Sequence, residues 1–280
     1  MQFIQNIAEM KNIAQQWHKE GLDIGFVPTM GALHAGHVSL MERAKENERR
    51  VVSVFVNPRQ FGANEDFSRY PRTLETDCTL CEKQGIDVVF APNAENLYPF
   101  AEGVKIVAPK SMANVLEGAA RPGHFDGVLD VLVRLFHIVQ PHRAYFGRKD
   151  AQQLLIVRQM VAEWFWDIEI VCCPIVRDFK GLALSSRNAY LSKKGYEQAL
   201  QIARATKALE GAIAKGSRDA CSLLTMARAI LAPLQIDYLM AVDYALNEVE
   251  ILQNNASLIV MAVIVEGVRL LDNVWVECNS

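Results

Sequence analysis

Ile24-Gly25-Phe26-Val27-Pro28-Thr29-Met30-Gly31-Ala32-Leu33-His34-Ala35-Gly36-His37-Val38 is the stretch that decides how this chain is read. The apolar run Ile24 to Val27 ends at Pro28, and helical spacing sets in at Val38 and continues to Lys45. A short apolar run, a Gly-containing turn and a helix together make the front half of a βαβ crossover. Outward from it the alternation repeats. Val51 to Val56, Val88 to Ala91, Ala144 to Phe146 and Ile168 to Cys172 read as buried strands, and Leu74 to Gln84, Val128 to Val139 and Gln152 to Glu163 as helices. Such a series predicts an α/β fold: a parallel sheet with right-handed crossovers and helices on both faces. Ligands of these sheets lie beyond the carboxyl ends of the strands, so the residues just after each strand are the ones to inspect.

The pattern changes after Val176. Helical stretches near Lys194 to Ala214 and Ala220 to Leu231 precede strand-like runs at Ile236 to Tyr244, Ser257 to Val265 and Val268 to Trp275. Helices followed by strands predict a separate, smaller α+β domain, which divides the chain into residues 1–175 and 176–280. The 280 residues carry a net charge of −3, so a protein that lives on nucleic acid is not expected. Six cysteines are too few for a disulfide scaffold, and the start MQFIQNIAEMKN lacks the pattern of a secretory signal. The apolar runs are too short to span a bilayer. The expectation is a cytoplasmic protein with reduced thiols and no membrane or nucleic-acid partner.

Each strand exit offers polar chemistry. His34 and His37 flank Gly36 where a helix starts, and a helix N-terminus attracts phosphate through its amides and its positive partial charge. Gly36 has no side chain to block an anion. Two imidazoles three positions apart can donate to phosphate oxygens, and removing one such donor costs about 3–4 kcal/mol of barrier. Gln60, after the second strand, can both donate and accept, which suits a hydroxy acid but also suits a capping loop. Asp77 reads equally as a first-turn acid facing the helix dipole and as a magnesium contact. Gly147-Arg148-Lys149-Asp150 follows the fourth predicted strand. Lys149 brings an ammonium there and Asp150 an acceptor for ribose, or the segment is a basic turn capped by Asp150. Gly181 to Asn188, with Ser185, Ser186 and Arg187, reads as a closing anion clamp or as a polar linker. Cys78-Thr79-Leu80-Cys81 lies inside a helical pattern and reads as packing rather than metal binding. Asp130 and Arg134, at i and i+4, read as a supporting pair. There is no P-loop, G-x-G-x-x-G after a strand, H-E-x-x-H or G-x-S-x-G.

Together these segments resemble the pantothenate synthetase (pantoate–β-alanine ligase) family. The resemblance is carried by Pro28 to Gly31 with His34 to His37, Phe55 to Phe61, Tyr70 to Thr73, Arg121 to Phe125, Phe146 to Gln153, Leu184 to Asn188 and Arg269 to Asn273, in order along nearly the whole chain. The His-x-Gly-His element alone is shared with other nucleotidylyltransferase-like enzymes. The resemblance implies a Rossmann-like first domain, a homodimer, and an ATP- and magnesium-dependent condensation of pantoate with β-alanine through a pantoyl adenylate. It implies that His34, His37, Lys149, Ser185, Ser186 and Arg187 are catalytic. It implies that they bind ATP together with Met30, Gly36, Gly147, Asp150, Val176 and Leu184. Gln60, Gln153 and Met30 would hold pantoate, and Asp77 would lie near the magnesium. The alternatives are a nucleotidyl transfer to a phosphorylated acceptor, in which the product keeps the nucleotide, and a non-catalytic protein with a cysteine metal site. Lys180, Asp130, His137 and Arg134 depart from the family pattern, the first by placing a cation where an acid is expected.

Overall fold

The structure, a computed structural model, describes residues 1–62, 65, 67–100 and 102–277. It divides into two compact units, one of residues 1–147 and 156–173, the other of residues 148–155 and from 174 onward. The sequence suggests a single division after residue 175. The structure groups 148–155 with the later chain, because Asn273 donates to the carbonyls of both Arg148 and Lys149.

The first unit opens with β1 (Gln2–Ile4), α1 (Ile7–Lys19), β2 (Ile24–Thr29), α2 (Ala35–Arg43), β3 (Arg49–Val54), α3 (Leu74–Lys83) and β4 (Val88–Phe90). Three short helices follow, α4 (Ala94–Leu97), α5 (Lys110–Ala113) and α6 (Leu116–Ala120), and then α7 (His124–Val139), β5 (Arg143–Gly147), α8 (Ala151–Glu163) and β6 (Glu169–Cys173). The strands form one sheet in the order β1-β4-β3-β2-β5-β6, and all its pairings are parallel. Because side chains alternate along a strand, successive residues serve opposite faces. Val27, Val52, Val89 and Tyr145 pack with Leu40, Met41 and Cys81 of α2 and α3 on one side. Phe26 meets Phe136 of α7 edge-on at 6.2 Å on the other. β2 lies between β3 and β5, so the winding of the chain reverses there and the strand exits at Thr29 and Gly147 belong to neighbouring strands.

Two differences from the sequence reading have physical causes. β1 has three residues, with Phe3 exposed, and carries no alternation long enough to register. Helices α2 and α7 start three and four residues earlier than their apolar periodicity, because His34 and Gly123 act as their caps.

The second unit contains α9 (Lys193–Ala214), α10 (Ala220–Leu231), β7 (Gln235–Asp243), β8 (Ser257–Val265) and β9 (Val268–Trp275). Its strands make an antiparallel meander ordered β7-β8-β9. The two helices cover it through Ile202, Leu209, Leu223 and Leu231, which pack with Ile259, Met261 and Val263. Among the described residues no helix is long and apolar enough to cross a membrane.

At the amino ends of β2 and β5, the His142 Nδ1 accepts the Ile24 amide at 2.9 Å, and its ring lies 4.6 Å from that of His18. Burial and the neighbouring His18 hold the His142 pKa below the usual value, against the opposite pull of Asp23 and Asp167. The unfolded chain then binds the proton more readily, so stability is whole above about pH 6.5 and declines as the pH falls from there toward the folded value. Replacing His142 with Asn, which keeps an acceptor, is expected to flatten this part of the stability profile. Denaturant melts between pH 7.5 and 5 measure the slope, and an unchanged slope refutes the assignment.

Candidate active site

The residues singled out from the sequence divide between the two units. In the first unit the turn from β2 to α2 is tight. Gly31 and Ala32 both have positive φ, +83° and 51°. A Cβ on Gly31 would lie 2.9 Å from the Asp77 Oδ2 and 3.0 Å from a Val54 methyl, so conformation and space both require glycine. Asp77, 2% exposed on α3, reaches across to this turn. Its carboxylate accepts the Ala32 amide at 3.0 Å and the Leu33 amide at 2.9 Å, and the Thr73 hydroxyl lies 3.2 Å from each oxygen. The Thr29 hydroxyl accepts the Gly31 amide at 3.1 Å and donates to the Ser53 carbonyl at 2.7 Å.

That turn delivers His34 to the cap of α2. The Nδ1 of His34 accepts the Gly36 amide at 3.1 Å, and the Nδ1 of His37 accepts the His34 amide at 3.2 Å. The pair is a capping box built from two imidazoles. A neutral imidazole that accepts at Nδ1 carries its proton at Nε2, so the backbone sets the tautomer of both rings and makes each Nε2 a donor. The rings lie 4.2 Å apart at 50°. Gly36 also serves a different end from the one its sequence position suggests. A Cβ there would meet the His34 ring at 2.8 Å, so glycine makes room for the capping histidine. The Gly36 amide, one of the first at this helix N-terminus, is taken by His34.

Gln60 closes the turn after β3 and is 8% exposed. Its Nε2 donates to the Met30 sulfur at 3.0 Å, which brings together two of the residues assigned to pantoate. The Gln60 Oε1 accepts from Asn57 at 3.1 Å, and Asn57 in turn donates to the Gly127 carbonyl at 2.9 Å and accepts the Tyr98 hydroxyl at 2.8 Å. The Gln60 carbonyl accepts from the His124 ring at 2.8 Å. Arg121 reaches His124 at 3.0 Å and Glu65 at 2.6 Å. Hydrogen bonding and charge from Arg121 hold the Glu65 carboxyl below the usual carboxylate range. Asn57, Tyr98 and His124 are polar supports that sequence reasoning left without a role. Two of them stand inside the segments that carry the family resemblance, which was the available signal.

The departures in this unit are structural. Asp130 pairs with Arg134 and, at 2.9 Å, with Arg59. Both guanidinium groups lie over the Tyr98 ring, at 3.9 and 4.8 Å, so the Asp130 charge is compensated by two arginines. His137 bonds the Val133 carbonyl and packs on Trp166. Burial pushes the Cys81 thiol up to about 12, which suits packing and not metal binding or redox exchange.

In the second unit, Lys149 stands in a tight turn, Arg148–Asp150, with its ammonium 3.1 Å from the Asp150 carboxylate. Gln153 follows in the first turn of α8, half-buried. The clamp segment is a hairpin: Arg177 bridges to Ala183, and the Leu184 amide donates to the Val176 carbonyl at 2.9 Å. Ser185 caps the 3-10 turn Ser186–Tyr190 by accepting the Arg187 amide at 3.3 Å, and Asn188 donates to the Ala183 carbonyl at 3.0 Å. The hairpin tip is closed by Asp178, which accepts from the Tyr196 hydroxyl and the Lys180 and Leu182 amides. Burial raises the pKa of Asp178, but these bonds hold it below the usual range. Lys180 turns outward to Glu197 at 2.6 Å, so the charge reversal at that position is met on α9.

A family model described as pantoate-beta-alanine ligase matches residues 2–275. The chain belongs to the pantoate-beta-alanine ligase family. It is 50% identical over 279 residues to the pantothenate synthetase of Helicobacter acinonychis (strain Sheeba), covering 99% of this chain and 100% of that one. It is 45% identical over 277 residues to that of Wolinella succinogenes, with 99% and 100% covered. Among solved structures, pantothenate synthetase from Thermus thermophilus superposes with a TM-score of 0.90 at 40% identity, covering 99% of this chain and 100% of the other. The Francisella tularensis pantoate-beta-alanine ligase, in complex with beta-gamma ATP and beta-alanine, gives 0.80 at 34% identity, with 100% and 99% covered.

The family resemblance implies magnesium, with Asp77 as the residue near it. Its surroundings do not fit a metal ligand. Asp77 is 2% exposed and both its carboxylate oxygens already accept hydrogen bonds, so a hard cation would have to displace the Ala32 and Leu33 amides. Among the described residues no group of three or more His, Cys, Asp or Glu is placed to hold a metal ion. Asp77 is therefore a support of the β2–α2 turn. Exchanging it for Asn is expected to destabilise the protein by about 2–3 kcal/mol, since an amide NH2 would face a backbone donor. Denaturant melts check the loss. A variant of native stability with weakened magnesium dependence would return Asp77 to the metal.

Proposed function

We propose that this chain condenses pantoate with β-alanine at the expense of ATP, through a pantoyl adenylate, and that His34, His37, Lys149, Ser185, Ser186 and Arg187 carry the phosphate chemistry. The observation that carries this reading is the family match over residues 2–275, with the histidine pair present and each Nδ1 accepting a backbone amide. A carboxylate is a poor acyl donor because oxide is a poor leaving group. One pantoate carboxylate oxygen attacks the α-phosphorus of ATP; the new O–P bond forms as the bond to the bridging oxygen breaks, and pyrophosphate leaves with that electron pair. The amine of β-alanine then attacks the acyl carbon, the C–O bond to AMP breaks, and the nitrogen loses a proton as the amide forms.

This chain's residues orient the reactants and stabilise charge rather than form covalent bonds. The Nε2–H donors of His34 and His37 meet phosphate oxygens as negative charge builds up on them, and the Lys149 ammonium and Arg187 guanidinium add net positive charge. Ser185 and Ser186 donate from the hairpin. Met30, Gly36, Gly147, Val176 and Leu184 shape the nucleotide's surroundings, and Asp150 accepts from ribose. Gln60 and Gln153 donate to pantoate. What supports this for Gln60 is that Asn57 holds its oxygen while its NH2 donates to Met30, a second residue of the proposed pantoate site. Magnesium enters as the counter-ion of the nucleotide phosphates, with no protein carboxylate assigned to it. A cytoplasmic homodimer belongs to the same proposal.

ATP–pyrophosphate exchange tests the mechanism. Exchange is expected to require pantoate and to proceed without β-alanine; exchange without pantoate, ADP as product, or a product that retains the nucleotide overturns it. His37→Ala is expected to lose about two orders of magnitude or more in exchange rate. It also loses a cap worth about 1 kcal/mol. His37→Gln, which can accept the His34 amide as a capping-box glutamine does, is expected to restore the melting temperature and not the rate. Restoration of both would make the histidine structural.

A further inference from the structure

The segment Arg269-Leu270-Leu271-Asp272-Asn273 takes part in the family resemblance, and the proposed mechanism gives it no task. It lies on β9, and its last two residues are buried, Asp272 at 2% and Asn273 at 3% exposed. The Asn273 Nδ2 donates to the Arg148 carbonyl at 2.9 Å and to the Lys149 carbonyl at 2.9 Å. Carbonyls only accept, so the amide's orientation is fixed by its partners. Two more contacts hold the same turn to β9 and the residues after it. The Arg148 guanidinium lies 5.4 Å from the Trp275 ring centre and 2.6 Å from the Glu277 carboxylate. Next to Asn273, Asp272 binds Arg177 through both oxygens, at 2.6 and 3.0 Å, and accepts the Asn273 amide at 2.8 Å. Arg177 continues to the Gly181 carbonyl at 3.2 Å, inside the hairpin that leads to Ser185.

We infer that Asn273 is a positioning residue for Lys149. Its side chain clamps the two peptide carbonyls on either side of the Lys149 α-carbon, so the direction in which the ammonium leaves the backbone is set from β9. Asp272, through Arg177, ties the hairpin to the same strand, and the two phosphate-binding segments of this unit thereby share one support. Arg148 is held by Trp275 and Glu277 and serves the turn; Lys149 beside it is the residue being aimed. The inference rests on the proposed role of Lys149 in binding ATP phosphates.

The test is a double-mutant cycle on the full-length enzyme, read by pantoate-dependent ATP–pyrophosphate exchange with melting temperatures alongside. Asn273→Ala is expected to lower the exchange kcat about ten-fold or more, since small displacements of an aligned group are costly, and to leave the KM for pantoate within about two-fold. Added to Lys149→Ala it is expected to cost less than about two-fold, because two changes that act through one group are not additive. Additive losses, a shifted pantoate KM with unchanged kcat, or an Asn273→Ala enzyme within two-fold of wild type overturns the inference. If Asn273→Ala does not fold, Asn273→Ser, which keeps a donor, enters the same cycle; failure of both to fold makes Asn273 a fold determinant and also overturns it. Wild-type protein without pantoate-dependent exchange, or Lys149→Ala with full exchange, would instead sink the underlying functional reading.

Discussion

A buried carboxylate that accepts two adjacent backbone amides is the constraint on which the first unit's chemistry depends. The chain must pass from β2 into α2 through two residues of positive φ, and the amides of Ala32 and Leu33 point inward where no strand or helix can satisfy them. An unmet buried amide costs about 1–3 kcal/mol, so without Asp77 this turn would open. With Asp77 in place, His34 stands at the helix cap and His37 one turn later, and both rings are fixed by the backbone they cap. Functional geometry here follows from the need to satisfy hydrogen bonds, and the glycine at 36 belongs to the same requirement.

The second unit solves a similar problem with an ion pair. Asp272 is enclosed, and burial pushes its carboxyl upward while Arg177 pulls the other way. Removing either partner would leave a buried charge uncompensated, a loss of about 3–5 kcal/mol. The pair joins a strand to a hairpin whose Leu182 is buried in this unit's core while Phe179, at its tip, is exposed.

Much of this was legible in the chain. Apolar runs of three to six residues alternating with helical spacing gave β2 to β6 in order and the two unit types, and the His-x-Gly-His stretch stood out by its position after a strand. The pieces that were not legible depend on partners far away in sequence. Asp77 could be read as a first-turn acid or a metal contact, and nothing local reveals that its partners lie 44 and 45 residues earlier. Asn57 looks like any turn residue until Tyr98 and Gly127 are found against it. Segment 148–155 reads as part of an α/β repeat, and the contacts of Arg148 and Lys149 with Asn273, Trp275 and Glu277 show where it belongs. Asp130 could be paired in the sequence with Arg134 one turn on, but its second partner, Arg59, lies 71 residues earlier and is seen only in the structure.

The histidine capping box bears on what could replace these rings. An imidazole here needs a lone pair facing the helix and a hydrogen facing away, two opposed demands met on opposite edges of one flat group. Lysine offers hydrogens alone and carboxylates offer lone pairs alone, so neither could substitute while α2 keeps its first turn wound. In the proposed mechanism the pair would contribute direction to an anion more than net charge, and electrostatic attraction would come from ammonium and guanidinium groups.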